Sequence, residues 1–207
     1  MLDRTAFQQL SPTTLADVLT RAQVMDSGIR PLWQGMPRIA GPAYTVRCAP
    51  ADNLMLHAAI YRAAPGAIIV VQSGDLDYAL AGGNVCAIAQ KRGVAGFVLD
   101  GLIRDIAEAR EMRFPVFARG VIPIPAAKRV PGSLRTTIQC GGVSVSQDDV
   151  VVADEEGIIV VPGVQAQATL AAAQDRAAKD ALQTLEMWEA DHRRRVEEAL
   201  ALGGFRE

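Results

Sequence analysis

The sequence predicts an α/β fold built as a compact single domain that is followed by a helical tail. Short apolar runs typical of buried strands alternate with segments in which apolar residues recur at helical spacing. Half of the 207 residues are hydrophobic, which is enough to fill a core and too many for a disordered chain. From residue 164 onward the pattern is helical and rich in alanine. We therefore predict an α/β domain over residues 1–163 and a C-terminal helical extension over 164–207.

The predicted helices follow residue types that commonly begin a helix, and the predicted strands are bounded by turn-forming residues. Ser11 and Asp52 or Asn53 are examples of such helix starts. The predicted helices are 11–19, 54–63, 85–92 and 106–110. The predicted strands are 43–48, 67–72, 96–99, 116–119, short segments within 134–145, 150–153 and 157–161.

The tail after Pro162 and Gly163 is predicted to be a long C-terminal helix that continues past Trp188 toward Leu202. An amphipathic helix of this length can pack against a neighbouring subunit or against its own domain. The sequence leaves both arrangements open.

One segment carries more chemical information than the rest. Residues 96–99 form a predicted buried strand, Gly101 permits a tight turn, and Arg104 and Asp105 follow at the start of a helix. In α/β proteins, sites commonly lie at the carboxyl ends of strands. Arg104 could hold a carboxylate through two hydrogen bonds, and Asp105 could bind a hard divalent cation. Alternatively, Asp105 and Glu108 have the spacing of a capping box and could do no more than cap the helix.

A second segment, Gly82-Gly83-Asn84, precedes the helix predicted over 85–92. Backbone N–H groups at the start of a helix can hold an anion. The alternative is a glycine-rich turn with no ligand.

The Arg104-Asp105 segment, with its flanks, resembles the family of the regulator of ribonuclease activity A (RraA), which includes the 4-hydroxy-4-methyl-2-oxoglutarate/4-carboxy-4-hydroxy-2-oxoadipate aldolases. The resemblance covers about residues 12–165. Further segments that carry it are 52–57, 65–71, 93–98, 114–120, 140–143 and 154–162.

The resemblance implies roles for individual residues. Arg104 would bind the carboxylate of the pyruvyl unit, and Asp105 would ligate Mg²⁺ or Mn²⁺. The substrate carboxylate would also lie against the backbone at Gly82, Gly83, Asn84 and Val85.

The family signature places another aspartate, tied to the water shell of the metal, twenty-one residues before the arginine. This chain has Gly83 there. Asp75, Asp77 and Asp100 are carboxylates that could compensate.

The resemblance also implies an activity and an assembly. The activity would be that of a class II lyase that cleaves a 2-oxo acid to pyruvate, by retro-aldol cleavage or by decarboxylation of oxaloacetate. The alternative is a non-catalytic regulator that binds a protein such as a ribonuclease. The implied fold is a mixed central sheet flanked by helices (α/β/α), related to the swivelling phosphohistidine domain. Family members form trimers or hexamers, and Asp180 or Glu186 could be donated to a neighbouring subunit's site.

The composition argues against several other classes of protein. A net charge of −2 argues against general nucleic-acid binding. The longest apolar runs are too short for a transmembrane helix, and the N-terminus leads into no signal-like segment. Cys48, Cys86 and Cys140 are widely separated and odd in number, which indicates neither a disulfide framework nor a zinc site. We therefore expect a cytoplasmic protein.

Overall fold

Nine strands form one mixed sheet, and two more form a separate hairpin, within residues 3–205, the part of the chain that the computed structural model describes. The strands are β1 (Arg30–Pro31), β2 (Ile39–Arg47), β3 (Ile68–Gln72), β4 (Ala79–Ala81), β5 (Gly96–Ile103), β6 (Val116–Val121), β7 (Ser133–Leu134), β8 (Ile138–Cys140), β9 (Val143–Val145), β10 (Val150–Asp154) and β11 (Gly157–Val161). The helices are α1 (Arg4–Gln9), α2 (Pro12–Ala16), α3 (Leu54–Ile60), α4 (Gly83–Lys91), α5 (Ile106–Glu111), α6 (Ala166–Leu182) and α7 (Leu185–Leu202). The predicted α/β class and mixed sheet are confirmed.

The centre of the sheet is parallel and its flanks are antiparallel. Strands β2, β3, β5 and β6 pair in parallel, β10 pairs antiparallel with β2, and β11 pairs antiparallel with β10. At the other edge β1 pairs antiparallel with β6. The sheet curls into a nearly closed, barrel-like shape, since Val24, shortly before β1, bridges Ile159 of β11 at the opposite edge. The central strands β3 and β5 are mostly apolar because most residues on both of their faces are buried.

Three apolar clusters fill the space on the two faces of this sheet. One lies between the sheet and helices α3, α4 and α5, where Phe97 and Phe114 meet edge to face with ring centroids 4.9 Å apart. The second lies inside the curl, under the β8–β9 hairpin. The third joins α1, α2 and α6 to β10 and β11.

The strand predicted over 96–99 is longer than expected, and the tight turn predicted at Gly101 is wrong. Gly101 lies inside β5, with a register shift against β6 between Leu99 and Leu102. A Cβ on Gly101 would lie 2.7 Å from Cδ1 of Leu80 and 2.8 Å from Cβ of Ser73. Glycine is needed here because neighbouring segments approach the strand closely, and not because the chain reverses.

The tail is helical as predicted, but two helices replace the single continuous helix. Helix α6 packs on the body of the protein through Ala173, which is fully buried. The chain becomes extended at Gln183, and Thr184 begins α7 by accepting a hydrogen bond from the Met187 N–H at 3.2 Å. No residue of α7 is buried against any part of the chain between residues 3 and 205.

No helix within the described range of the chain is both long and apolar enough to cross a lipid bilayer. Cys48, Cys86 and Cys140 are free and buried. The cytoplasmic location expected from these cysteines stays a prediction.

A buried carboxylate, Asp52, joins the start of α3 to the loop that precedes β7. Its Oδ1 accepts a hydrogen bond from the Leu54 N–H at 2.8 Å, and its Oδ2 accepts from Arg129 at 2.6 Å and from Val130 at 3.0 Å. Burial alone would raise the pKa of Asp52, but the three backbone donors, aided by the charge of Lys128, outweigh burial and lower the pKa.

We predict that Asp52→Asn lowers the free energy of unfolding by about 1–3 kcal/mol at pH 7, because an amide cannot satisfy all three donors. A carboxyl with a lowered folded-state pKa contributes stability above its unfolded pKa near 3.8 and loses it as pH falls through the folded value. The difference between wild type and variant should therefore shrink below about pH 3.8 in urea unfolding curves measured from pH 7 to pH 3.

The matched control is Asp175→Asn, which makes the same chemical change at an exposed position of α6. It should change stability by less than about 0.5 kcal/mol at every pH. An Asp52→Asn variant as stable as this control at pH 7 would contradict the structural role of Asp52.

Candidate active site

The ends of β4 and β5 lie side by side and bring two distant parts of the chain together. Ala81 of β4 pairs in parallel with Ile103 of β5, and the Arg104 N–H donates to the Ala81 carbonyl at 3.0 Å. Gly82 and Arg104 each follow directly, so the starts of α4 and α5 meet at one edge of the sheet. This is the edge at which α/β proteins commonly bind ligands.

Two glycines form the floor of the space between the starts of α4 and α5. Gly82 is the N-cap of α4 and Gly83 is its first residue. A Cβ on Gly82 would collide with Oδ2 of Asp105 and lie 3.1 Å from Cγ of Arg104. The side chains of Arg104 and Asp105 therefore lie directly on the backbone, which only glycine permits.

Asp105 faces the glycines and not its own helix. It has a left-handed backbone conformation, with φ +57°, and it is the N-cap of α5 without a side-chain capping bond. Its Oδ2 instead accepts a hydrogen bond from the Gly83 N–H at 3.2 Å and lies 3.4 Å from Nε of Arg104. The capping-box alternative is therefore wrong. A strained residue whose carboxylate turns away from the cap is typical of a functional position.

The first turn of α4 offers unpaired donors to the same space. The backbone N–H groups of Asn84 and Val85 have no acceptor among residues 3–205, and both residues line the cavity beside Arg104. Together with the Arg104 guanidinium they can bind a carboxylate.

The opposite wall carries polar groups that lack hydrogen-bond partners among residues 3–205. Asn53 is 3% exposed; its Nδ2 donates to the Leu80 carbonyl at 2.9 Å, while its Oδ1 has no hydrogen-bond partner within the described residues. Nε2 of His57 likewise has none there. Burial, together with the charge of Lys128, lowers the pKa of His57 to about 4, so His57 is neutral at pH 7.

The cavity between these walls has a volume of about 110 Å³. Pockets for drug-sized ligands are larger, at roughly 300–1,000 Å³. Its lining consists of Asn53, His57, Ala79, Ala81, Gly82, Asn84, Val85, Arg104, Asp105, Glu108, Pro125 and Lys128. A small, polar ligand suits this space best.

The structure brings five of the six predicted site residues to the cavity lining: Gly82, Asn84, Val85, Arg104 and Asp105. Gly83 lies beneath them. Four further polar residues of the cavity were not expected from the sequence. In the sequence, Asn53 has the pattern of a helix cap, and His57 has that of a packed residue on a helix. Glu108 has the spacing of a capping box. Lys128 lies in a turn-rich segment in which no sequence pattern indicates a binding residue.

The aspartates considered as substitutes for a carboxylate at position 83 lie elsewhere. Asp100 is bonded to the Arg119 guanidinium and accepts from the Gly141 N–H at 2.8 Å. Asp75 accepts from the N–H groups of Ala51 and Asp77, the latter at 2.9 Å. None of Asp75, Asp77 and Asp100 lines the cavity.

The donor set at the cavity suits a hard divalent cation. Mg²⁺ typically keeps several waters and needs only one or two protein carboxylates. Asp105, with a side chain 38% exposed, and Glu108 offer carboxylate oxygens here. No cluster of three or more His, Cys, Asp or Glu side chains that could hold a metal ion occurs in the described part of the chain.

Comparison with known proteins identifies the family of this chain. The family model for RraA-like proteins, described as Aldolase/RraA, matches residues 12–160. A Halalkalibacterium halodurans protein named "Putative 4-hydroxy-4-methyl-2-oxoglutarate aldolase" is 37% identical over 177 residues, which cover 85% of this chain and 84% of that protein. A Burkholderia multivorans protein of the same name is 35% identical over 139 residues, which cover 67% of this chain and 84% of that protein.

A solved structure shares the fold over nearly the whole chain. Streptomyces coelicolor RraAS2, described as an unusual member of the RNase ES inhibitor RraA protein family, has a TM-score of 0.74 and 29% identity, covering 93% of this chain and 96% of that one. The family match over most of the chain and the shared fold lead to one conclusion: this chain belongs to the RraA-like family of aldolases and RraA proteins.

Proposed function

We propose that this protein is a divalent-metal-dependent lyase that cleaves a small 2-oxo acid and releases pyruvate. One observation carries the proposal: the Arg104 guanidinium, the Asp105 carboxylate and two N–H groups of α4 that have no acceptor among residues 3–205 share one small cavity. The names of the aldolase relatives support the same reaction class.

In this proposal the pyruvyl carboxylate lies between Arg104 and the N-terminus of α4. The planar guanidinium can bind the two oxygens in parallel, and the N–H groups of Asn84 and Val85 add further donors. These groups are held by strand ends and a helix start, so they are positioned before the substrate arrives.

Asp105 would hold Mg²⁺ or Mn²⁺, with its orientation set by the Gly83 N–H. When bound, the cation supplies Lewis acidity at the 2-oxo group, where charge develops as the pyruvate enolate forms. Retro-aldol cleavage and β-decarboxylation both leave this enolate, so one site can serve both reactions.

The opposite wall favours a substrate with a second carboxylate. Lys128 brings a positive charge to the cavity, while neutral His57 and Asn53 offer hydrogen bonds without further charge. A dicarboxylic 2-oxo acid, such as 4-hydroxy-4-methyl-2-oxoglutarate or oxaloacetate, matches this arrangement.

We further propose that α7 docks on a second copy of this chain in a homo-oligomer, such as a trimer or hexamer. Large apolar side chains of α7 are solvent-exposed, including Leu185 at 75% and Trp188 at 43%. Asp180 is paired with Arg176 of its own helix at 3.1 Å. Glu186, the other acidic residue considered for donation to a neighbouring site, lies on α7 itself.

We predict that purified protein releases pyruvate from oxaloacetate or 4-hydroxy-4-methyl-2-oxoglutarate with Mg²⁺ or Mn²⁺, and that a chelator abolishes the release. Arg104→Ala should lower kcat/KM by about 10²–10³-fold because it removes the side chain that binds the pyruvyl carboxylate and positions the substrate. Arg104→Lys should also be impaired because it loses the planar, two-bond contact. A coupled assay for pyruvate measures each rate.

Arg110→Ala is the matched control, since Arg110 is exposed on α5 and does not line the cavity. It should retain wild-type rates. If folded protein releases no pyruvate with either cation, the lyase proposal fails for these substrates, and the regulator alternative becomes the function to test by ribonuclease inhibition.

We predict that the double variant Leu185→Glu/Trp188→Glu dissociates the oligomer, because charged side chains would oppose burial of α7. Sedimentation velocity should show several chains for wild type and one chain for the variant. Gln174→Glu, which adds a charge on the exposed side of α6, should leave the mass unchanged. A wild-type protein that sediments as one chain would contradict the proposed assembly.

A further inference from the structure

A second cavity lies beyond the end of α3, away from the candidate active site. Asn53 caps the start of α3 and lines the candidate active site, whereas Arg62, which follows the end of that helix, lines the second cavity. The two cavities share no lining residue. The second has a volume of about 560 Å³, within the range of roughly 300–1,000 Å³ that is typical of small-molecule sites.

The loops on both sides of this cavity have an unusual backbone conformation. Arg135 and Asp148 line it with φ values of +60° and +67°, in the left-handed region. The Arg135 N–H donates to the Thr45 carbonyl of β2 at 2.9 Å. The Asp148 N–H donates to the Ala43 carbonyl of the same strand at 3.1 Å. Because left-handed conformations are costly for non-glycine residues and concentrate at functional sites, this pair indicates a built cavity.

Two arginines bring positive charge to the cavity without a carboxylate partner among residues 3–205. Arg62 donates through Nη1 to the Ala58 carbonyl at 2.9 Å, and its other guanidinium donors form no bond in the described chain. The Arg135 guanidinium forms none there either. Asp148 is the one carboxylate of the lining, and it accepts from Nε2 of Gln147 at 2.8 Å. Two guanidinium charges against one carboxylate favour an anionic ligand.

Two neutral side chains of the lining also have polar atoms without partners in the described chain. Tyr44 is 6% exposed and its ring packs in the cluster against α3, but its hydroxyl forms no hydrogen bond within residues 3–205. Oε1 of Gln147 is buried and has no donor there. The bond from Nε2 to Asp148 fixes the orientation of this amide, because a carboxylate accepts only from the N–H end. Buried polar atoms are rarely left unpaired, and a ligand or an ordered water is the usual explanation.

We propose that this cavity binds a small organic phosphate that carries at least one hydroxyl group. Arg62, Arg135 and the Tyr44 hydroxyl are three donor groups, and a phosphate monoester offers three terminal oxygens to match them. A hydroxyl of the ligand would donate to Oε1 of Gln147, directly or through one water. The inference does not depend on the lyase proposal, because the two sites share no residue.

The first experiment measures the binding of glycerol 3-phosphate, inorganic phosphate and glycerol to the full chain by isothermal titration calorimetry. Wild-type protein should bind glycerol 3-phosphate, bind inorganic phosphate several-fold more weakly, and show no binding of glycerol. The double variant Arg62→Ala/Arg135→Ala should weaken glycerol 3-phosphate binding by about tenfold or more, because hydrogen bonds from charged donors to the phosphate are lost.

Two controls separate this cavity from other arginines. Arg110→Ala removes an exposed arginine outside the cavity and should leave the affinity unchanged. Arg104→Ala removes the arginine of the candidate active site and should also leave it unchanged, since that site is the other place where an anion could bind. Circular dichroism confirms that each variant is folded.

The second experiment removes a single hydroxyl. Tyr44→Phe keeps the buried ring and should weaken glycerol 3-phosphate binding by about three- to tenfold, the effect of one lost hydrogen bond, without lowering the Tm. Tyr61→Phe makes the same change on a tyrosine that is 59% exposed and lies outside the cavity, and it should leave the affinity unchanged. Equal affinities of Tyr44→Phe and wild type would overturn the assignment of the Tyr44 hydroxyl as a donor.

The remaining outcomes decide between this cavity and the candidate active site. If Arg104→Ala abolishes binding while Arg62→Ala/Arg135→Ala retains it, the phosphate occupies the candidate active site and the inference is overturned. Folded wild-type protein that binds neither phosphate would overturn it as well. Equal affinities for the two phosphates would overturn the role of the ligand's hydroxyl. Protein that binds glycerol 3-phosphate through both arginines but releases no pyruvate would support this inference and overturn the lyase proposal.

Discussion

The parallel pairing of β4 with the last residues of β5 is the contact on which the candidate site depends. Strand β5 pairs with β3 along its first half and with β4 at its end. Strand β4 therefore follows β3 on the same side of β5. The shift in register between Leu99 and Leu102 accompanies this change of partner. Because of this pairing, two helices that are separate in sequence begin within hydrogen-bonding distance of each other. Residues at the two helix starts supply half of the cavity lining.

The carboxylates of this protein fall into two groups that differ in how completely they are bonded. Asp52 accepts three backbone N–H bonds, Asp100 is bonded to Arg119 and Gly141, and Asp154 is bonded to Arg38 and the Glu156 N–H. Such saturated carboxylates stabilise the fold, since removal would leave buried donors without partners. Asp105 and Glu108 retain unused acceptor capacity at an exposed edge. This contrast is the physical reason to assign binding to the second group.

Sequence patterns predicted the elements that leave a signature in consecutive residues, namely buried strands and helix starts. The apolar runs of β3 and β11 and the Arg104-Asp105 pair were identified from the sequence because burial and helix starts leave local signatures. Strand β4 was missed because three residues carry no periodicity, and Gly101 was misread because its neighbours, Leu80 and Ser73, are distant in sequence. Lys128 reaches the cavity because Asp52 holds the adjacent backbone, which no local pattern encodes.

The left-handed backbone of Asp105 has a consequence for how the site responds to its ligand. A conformation that is costly for a non-glycine residue persists only where the surroundings determine it, here the pairing of β5 with β4 and the bond to Gly83. The main-chain conformation and the bond to Gly83 thus set the direction of the Asp105 carboxylate more than side-chain rotation does. For the cation proposed at this site, binding would then include only a small cost for ordering the carboxylate, so that preorganisation and not the number of ligands would retain the ion.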